Sequence, residues 1–211
     1  MSVTESETST NEPLDDRLRF FLEHQQQILE WAALAAPVQE AVDGLLRELR
    51  VDLTDDPRVG QLDIRVGTHV SGETATGPVL YRPAWCIDAA DVPDVGIAIG
   101  WDGRVDPAGL SPRTTMPYVG VVTAHQTNPG RSIETRLRAT SVARLAEAPK
   151  FRVGSHWVVF RPLMPNRDWW RDIPAWRKGL VDELFGTWTR WAQLVDDAVS
   201  WNDDQLGPGA R

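Results

Sequence analysis

Cysteine is scarce in this chain of 211 residues, which has one thiol, Cys86, and only two lysines beside its twenty arginines. A single thiol cannot close an internal disulfide, and the histidines and the cysteine show no zinc-ligand spacing. No apolar run approaches the roughly 18 residues of a membrane-spanning helix, and the N-terminus lacks the basic and apolar regions of a secretory signal. We therefore predict a cytoplasmic protein without a disulfide, a metal or a membrane span.

Motifs for common enzymatic chemistry are also missing. The chain has no G-x-x-x-x-G-K or G-x-G-x-x-G phosphate loop and no G-x-S-x-G nucleophile elbow. Cys86 lies between Trp85 and Ile87, an apolar setting typical of an inert core thiol. These absences favour a non-enzymatic protein with no catalytic residue and no cofactor. A catalytic site assembled by folding from distant residues remains an alternative.

Two short polar groupings are interpreted as structural. Ser155 and His156 are adjacent in a predicted strand, where neighbouring side chains point to opposite faces and cannot form a hydrogen-bonded pair. Asp88, Asp91 and Asp94 have the spacing of a solvated loop. Neither grouping is predicted to be catalytic.

Aromatic residues are plentiful, with ten tryptophans among them, and they supply enough apolar surface for a core. Hydrophobic periodicity predicts an α+β fold, a mainly antiparallel sheet of four to five strands with N-terminal, middle and C-terminal helices packed on it. The predicted helices cover 14–50 (kinked or divided at Pro37), 128–147 and 174–201, and the predicted strands cover 62–70, 79–87, 95–101, 118–122 and 151–159. Residues 13–202 are interpreted as one domain between disordered tails, 1–12 and 203–211.

The predicted order of helix, three strands, helix and strand resembles the core of the PD-(D/E)XK nuclease superfamily over roughly residues 14–162. Asp88 or Asp94 matches the first acidic position of that superfamily's motif, but the following strands contain no D/E-x-K. The nearest tripeptide, Glu134-Thr135-Arg136, lies on the predicted middle helix. The resemblance therefore implies a catalytically silent member, and the alternative function is that of a nucleic-acid-binding or degenerate nuclease-like domain without the catalytic motif.

Positive charge is concentrated in residues 131–178, which hold eleven basic and four acidic side chains in a protein of net charge −8. An arginine-rich segment can form an anion-binding face, or it can be neutralised by the acidic N-terminal helical region. Within this segment, one predicted basic face lies on the middle helix and comprises Arg131, Arg136, Arg138 and Arg144.

Arginine and tryptophan alternate in the region between Arg161 and Lys178. Adjacent rings in a loop, here Trp169 and Trp170, cannot easily both be buried, so at least one is expected at the surface. An exposed Trp beside Arg is a common anchor of protein interfaces. We predict a protein-binding or self-associating domain, with nucleic acid as the alternative partner, and the candidate interface or anion-binding residues are Arg161, Arg167, Trp169, Trp170, Arg171 and Arg177.

Overall fold

A computed structural model describes residues 15–33, 35–71, 74–86, 93–101, 117–123, 128–145, 147–148, 150–154, 157–164 and 169–206. The fold is α+β, as predicted. Its helices are α1 (Asp16–Ala33), α2 (Ala35–Thr54), α3 (Pro57–Gln61), α4 (Asn128–Leu145) and α5 (Ile173–Leu206). Its strands are β1 (Arg65–Ser71), β2 (Thr74–Tyr81), β3 (Val95–Gly100), β4 (Tyr118–Thr123) and β5 (Trp157–Pro162). The predicted N-terminal tail and residues 207–211 lie outside the described residues, whereas α5 includes residues 203–206.

The five strands form one antiparallel sheet in the order β1-β2-β3-β4-β5. In β3 the large residues Val95, Ile97 and Ile99 alternate with small ones, and every residue of the strand is buried. Such a strand needs cover on both faces. Helix α5 packs against β3 and β4, and α4 packs against β4 and β5, so the core lies between these helices and the centre of the sheet.

Tryptophans fill much of this core. Trp191 on α5 is fully buried beside Phe151, with ring centroids 5.4 Å apart. Trp188 on the same helix stacks on Trp85 at 4.9 Å. Helix α5 therefore presents an apolar stripe to the core at Trp188 and Trp191, with Trp176 half-buried near its start.

The chain consists of two compact units, Met1–Val38 and Gln39–Arg211. In the first unit, α1 is the predicted amphipathic helix, and Phe20 stacks on His24 with ring centroids 4.2 Å apart. Its large apolar side chains are exposed: Leu18, Phe20, Phe21, Leu22 and Leu29.

The break between the first two helices differs from the prediction. Helix α1 ends at Ala33 and α2 begins at Ala35, so the break precedes Pro37. Pro37 lies in the first turn of α2, where a missing N–H costs no helical hydrogen bond. Pro57 begins a further short helix, α3, with Asp56 as the N-cap.

Two strand boundaries were wrong. The first strand begins at Arg65, because Leu62 ends α3 and Asp63 has a left-handed φ of 50°. The second strand covers Thr74–Tyr81 instead of 79–87. Pro83 ends it, since proline cannot donate to a strand ladder, and a short 3-10 turn follows at Pro83–Trp85.

The predicted strand 151–159 is instead a hairpin. Arg152 and Phe160 exchange two backbone hydrogen bonds of 2.8 Å, and the Gly154 N–H donates to the Trp157 carbonyl at 3.1 Å. Ser155 and His156, predicted to be adjacent in this strand, lie outside the described residues. The solvated-loop interpretation also fails at Asp94, which is buried, while Asp88 and Asp91 lie outside the described residues.

Asp56 caps the N-terminus of α3 and also forms an ion pair with Arg58. Its side chain accepts hydrogen bonds from the Arg58 backbone N–H at 2.9 Å and from Arg58 Nη2 at 2.7 Å. Arg58 also reaches Asp182 on α5 at 3.0 Å. The side-chain hydrogen bond from Arg58 holds the pKa of Asp56 below its usual value of 3.8, and the same bond raises the pKa of Arg58.

Replacing Asp56 by Ala should lower the free energy of unfolding by about 1 kcal/mol at pH 7, as expected for loss of an N-cap. Because the pKa of Asp56 is depressed in the folded state, its carboxylate stabilises the protein above the unfolded pKa. That contribution is lost as the pH falls through the folded pKa. Urea unfolding at pH 7 and near pH 3 measures the difference, and Asp56→Asn, which can still cap the helix, is the control. An Asp56→Ala difference that stays constant across this range would contradict the role of the charge.

Candidate functional site

The segment before α5 is fixed to the core by one of its two adjacent tryptophans. The Trp169 ring lies 4.5 Å from that of Trp176 and 5.7 Å from that of Trp101, and Trp101 is itself buried. Trp170 is 56% exposed. The two neighbouring rings therefore have different surroundings, as expected for adjacent residues outside a regular element.

Trp170, Arg171 and Ile173 form an exposed group that we call the Trp170 patch. Trp170 and Arg171 belong to a 3-10 turn, Trp169–Arg171, and Ile173 begins α5. Asp172 rigidifies the junction by accepting a hydrogen bond from the Ala175 N–H at 3.0 Å.

The side chain of Arg161, on β5, contacts other residues of the same chain. Its guanidinium donates a hydrogen bond to Glu183 on α5 and lies 5.6 Å from the centre of the Phe151 ring. The side chain is 18% exposed. Arg161 is thus engaged in an ion pair within the protein.

Arg177 on α5 also has internal partners. It donates a hydrogen bond to Glu48, and its Nε lies 2.8 Å from Asp52 Oδ2. Both carboxylates belong to α2. This arrangement matches the predicted neutralisation of the basic segment by acidic residues from the N-terminal helical region.

The basic face predicted on the middle helix is only partly available. Arg138 pairs with Glu134 at 2.7 Å and donates to the Gly154 carbonyl at 2.8 Å. Arg136 is exposed and lies 5.4 Å from the centre of the Trp201 ring, and Arg144 is exposed in the last turn of α4. The side chain of Arg131 and the whole of Arg167 lie outside the described residues.

A cleft of about 390 Å³ lies beside the Arg161 and Glu183 ion pair. It was not predicted, because its walls come from the segment between α4 and the hairpin, from β5 and from the middle of α5. The residues lining it are Glu147, Ala148, Lys150, Phe151, Arg161, Glu183, Gly186, Thr187 and Arg190. Three cationic side chains therefore meet two carboxylates around a partly apolar base.

Within the ranges that the structure describes, no three His, Cys, Asp or Glu side chains converge as a metal site would require. None of the described helices combines the length and apolarity needed to cross a membrane. No protein-family model, curated protein or solved structure matches the chain.

Proposed function

We propose that this protein is a non-enzymatic interaction domain that binds a protein partner, either a second copy or another chain, through the Trp170 patch. The observation that supports this most is the 56% exposure of the Trp170 ring beside an exposed arginine. A large ring in water is unfavourable for the isolated protein, and Trp and Arg are the residues most enriched among the anchors of interfaces.

Rigid presentation of the ring strengthens the proposal. Trp169 is held between Trp101 and Trp176, and Asp172 caps the helix immediately after the patch. A partner therefore meets Trp170 on an ordered turn. Ordering a flexible segment would cost free energy on association, and here that cost is already met during folding.

The arrangement of charge favours a protein partner over nucleic acid. Binding to a phosphate backbone depends on cations that can face the phosphates. Five arginines of the described chain instead form ion pairs with carboxylates of the same protein: Arg58, Arg82, Arg138, Arg161 and Arg177.

Changing Trp170 to Ser should weaken association at least about 30-fold, the loss typical of a truncated interface anchor. Light scattering across a concentration series measures self-association. Affinity capture from an extract of the source cells, with wild-type and variant baits compared, measures binding to another protein. Trp201→Ser is the matched control, because Trp201 is also exposed, at 37%, but lies near the opposite end of α5.

A folded Trp170→Ser variant that associates as well as the wild type would refute the patch. A wild-type protein that stays monomeric and captures nothing that the variant loses would refute the interaction function. Trp169 is unsuitable for this test, since its ring packs on Trp101 and Trp176 and its loss would disturb the fold.

A further inference from the structure

We propose that the cleft between the β5 hairpin and α5 binds a small organic oxyanion, a carboxylate or a phosphate that carries an apolar group. This site is separate from the Trp170 patch and uses none of its residues. Its volume of about 390 Å³ is within the range of small-molecule sites, which hold roughly 300–1,000 Å³.

The sign of the ligand's charge follows from which charged residues of the cleft already have partners. Arg161 and Glu183 are paired with each other. Arg190 donates only a long hydrogen bond of 3.4 Å to the Glu147 backbone carbonyl. In the described part of the chain, no carboxylate forms an ion pair with Lys150 or Arg190, although both line the cleft.

These two cations outnumber the remaining carboxylate, Glu147, so the cleft carries one excess positive charge beyond the internal pair. Lysine offers three donors and arginine a planar fork of five, both suited to carboxylate and phosphate oxygens. An oxyanion bound between Lys150 and Arg190 would supply the negative charge that balances these two cations.

The apolar part of the ligand is indicated by the base of the cleft. Phe151 and Ala148 line it and are largely buried within the protein. On the α5 side, Gly186 contributes no side chain, and a Cβ added there would meet no atom within 4 Å. This glycine keeps one wall open, so a side chain introduced at position 186 would enter the cleft instead of the core.

Gly179 provides a matched control on the same helix. A Cβ added at Gly179 also meets no atom within 4 Å, and Gly179 does not line the cleft. Gly186→Leu and Gly179→Leu therefore make the same chemical change on α5, and only the first fills the cleft.

The test is a titration of the 211-residue protein with benzoate and with phenyl phosphate at low salt, in which NMR chemical-shift changes report binding. Benzamidine, a cation of similar shape, is the control ligand. We expect saturable binding of at least one anion, in the millimolar range usual for so small a ligand, and none of benzamidine. Comparing benzoate with phenyl phosphate shows which oxyanion is preferred. Lys150→Gln and Arg190→Gln should each weaken binding about tenfold, and Gly186→Leu should abolish it while Gly179→Leu leaves it unchanged.

Three results would overturn the proposal: no binding of either anion, equal binding of benzamidine, or equal binding by the Gly186→Leu and Gly179→Leu variants. Association through the Trp170 patch is measured separately by light scattering. Failure of one site can therefore be told from failure of the other.

Discussion

Replacing Trp85 by Ala should lower the free energy of unfolding by about 3–5 kcal/mol, the usual cost of deleting a buried ring. Trp85 is 1% exposed, and its ring stacks on Trp188 at 4.9 Å. Its Nε1 donates a hydrogen bond to Asp196 Oδ1 at 2.8 Å. The substitution leaves a cavity and removes one donor from a carboxylate whose other oxygen is paired with Arg82.

Urea unfolding followed by far-ultraviolet circular dichroism measures this loss. Trp85→Phe separates its two parts, because Phe retains most of the ring contact and loses the Nε1 hydrogen bond, typically worth about 1.5–3 kcal/mol to a charged acceptor. Trp201→Ala removes an exposed tryptophan and should change stability by less than about 0.5 kcal/mol. A cost below about 1 kcal/mol for Trp85→Ala would mean that this ring does not support the core.

Local pattern explains which parts of the fold the sequence predicts well. The alternation in Val95–Gly100 identifies β3, and the Asn128 and Pro129 start identifies α4, because each signal lies within one element. The hairpin at 151–162 was missed because its two arms share one apolar period across the reversal. Trp85 was wrongly assigned to a strand because the prediction continued the strand across Pro83, which ends β2 before the 3-10 turn.

Prediction of the candidate site reaches a similar limit. The contrast between Trp169 and Trp170 follows from adjacency, which sequence shows directly. The partners of Arg177 cannot be predicted in this way, since Asp52 lies 125 residues away along the chain. Composition left open whether the basic segment is neutralised or forms an anion-binding face, and only the folded chain pairs Arg161 and Arg177 with carboxylates and leaves Lys150 and Arg190 beside a cleft.

One long helix connects these surfaces. Helix α5 begins at Ile173 of the Trp170 patch, and it carries one wall of the cleft near its middle and the buried Trp188 and Trp191 on its core face. Asp196, which accepts the Trp85 hydrogen bond, lies farther along the same helix. Core variants such as Trp85→Ala are therefore expected to disturb both surfaces, whereas variants at exposed residues of one surface, such as Trp170→Ser or Lys150→Gln, test that surface alone.

Replacing Gly77 by Ala should destabilise the protein by more than about 3 kcal/mol, because backbone strain and overpacking each cost about 1–3 kcal/mol. Gly77 has a φ of 145°, which residues with a Cβ rarely adopt. A Cβ there would lie 2.0 Å from the Ile99 carbonyl oxygen of β3, a clash with backbone that no side-chain rotation relieves. The site lies just beyond the paired residues Val79 and Ala98, so the strain should separate β2 from β3.

The same urea unfolding experiment tests Gly77→Ala against Gly179→Ala, which introduces its methyl group into open space on α5. Alanine is the better helix former, so Gly179→Ala should leave stability unchanged or raise it by up to about 1 kcal/mol. Opposite signs for the two substitutions would show that close approach of β2 to β3, and not loss of glycine as such, sets the cost at position 77. Equal changes in the free energy of unfolding for the two substitutions would contradict the close approach of Gly77 to the Ile99 carbonyl oxygen.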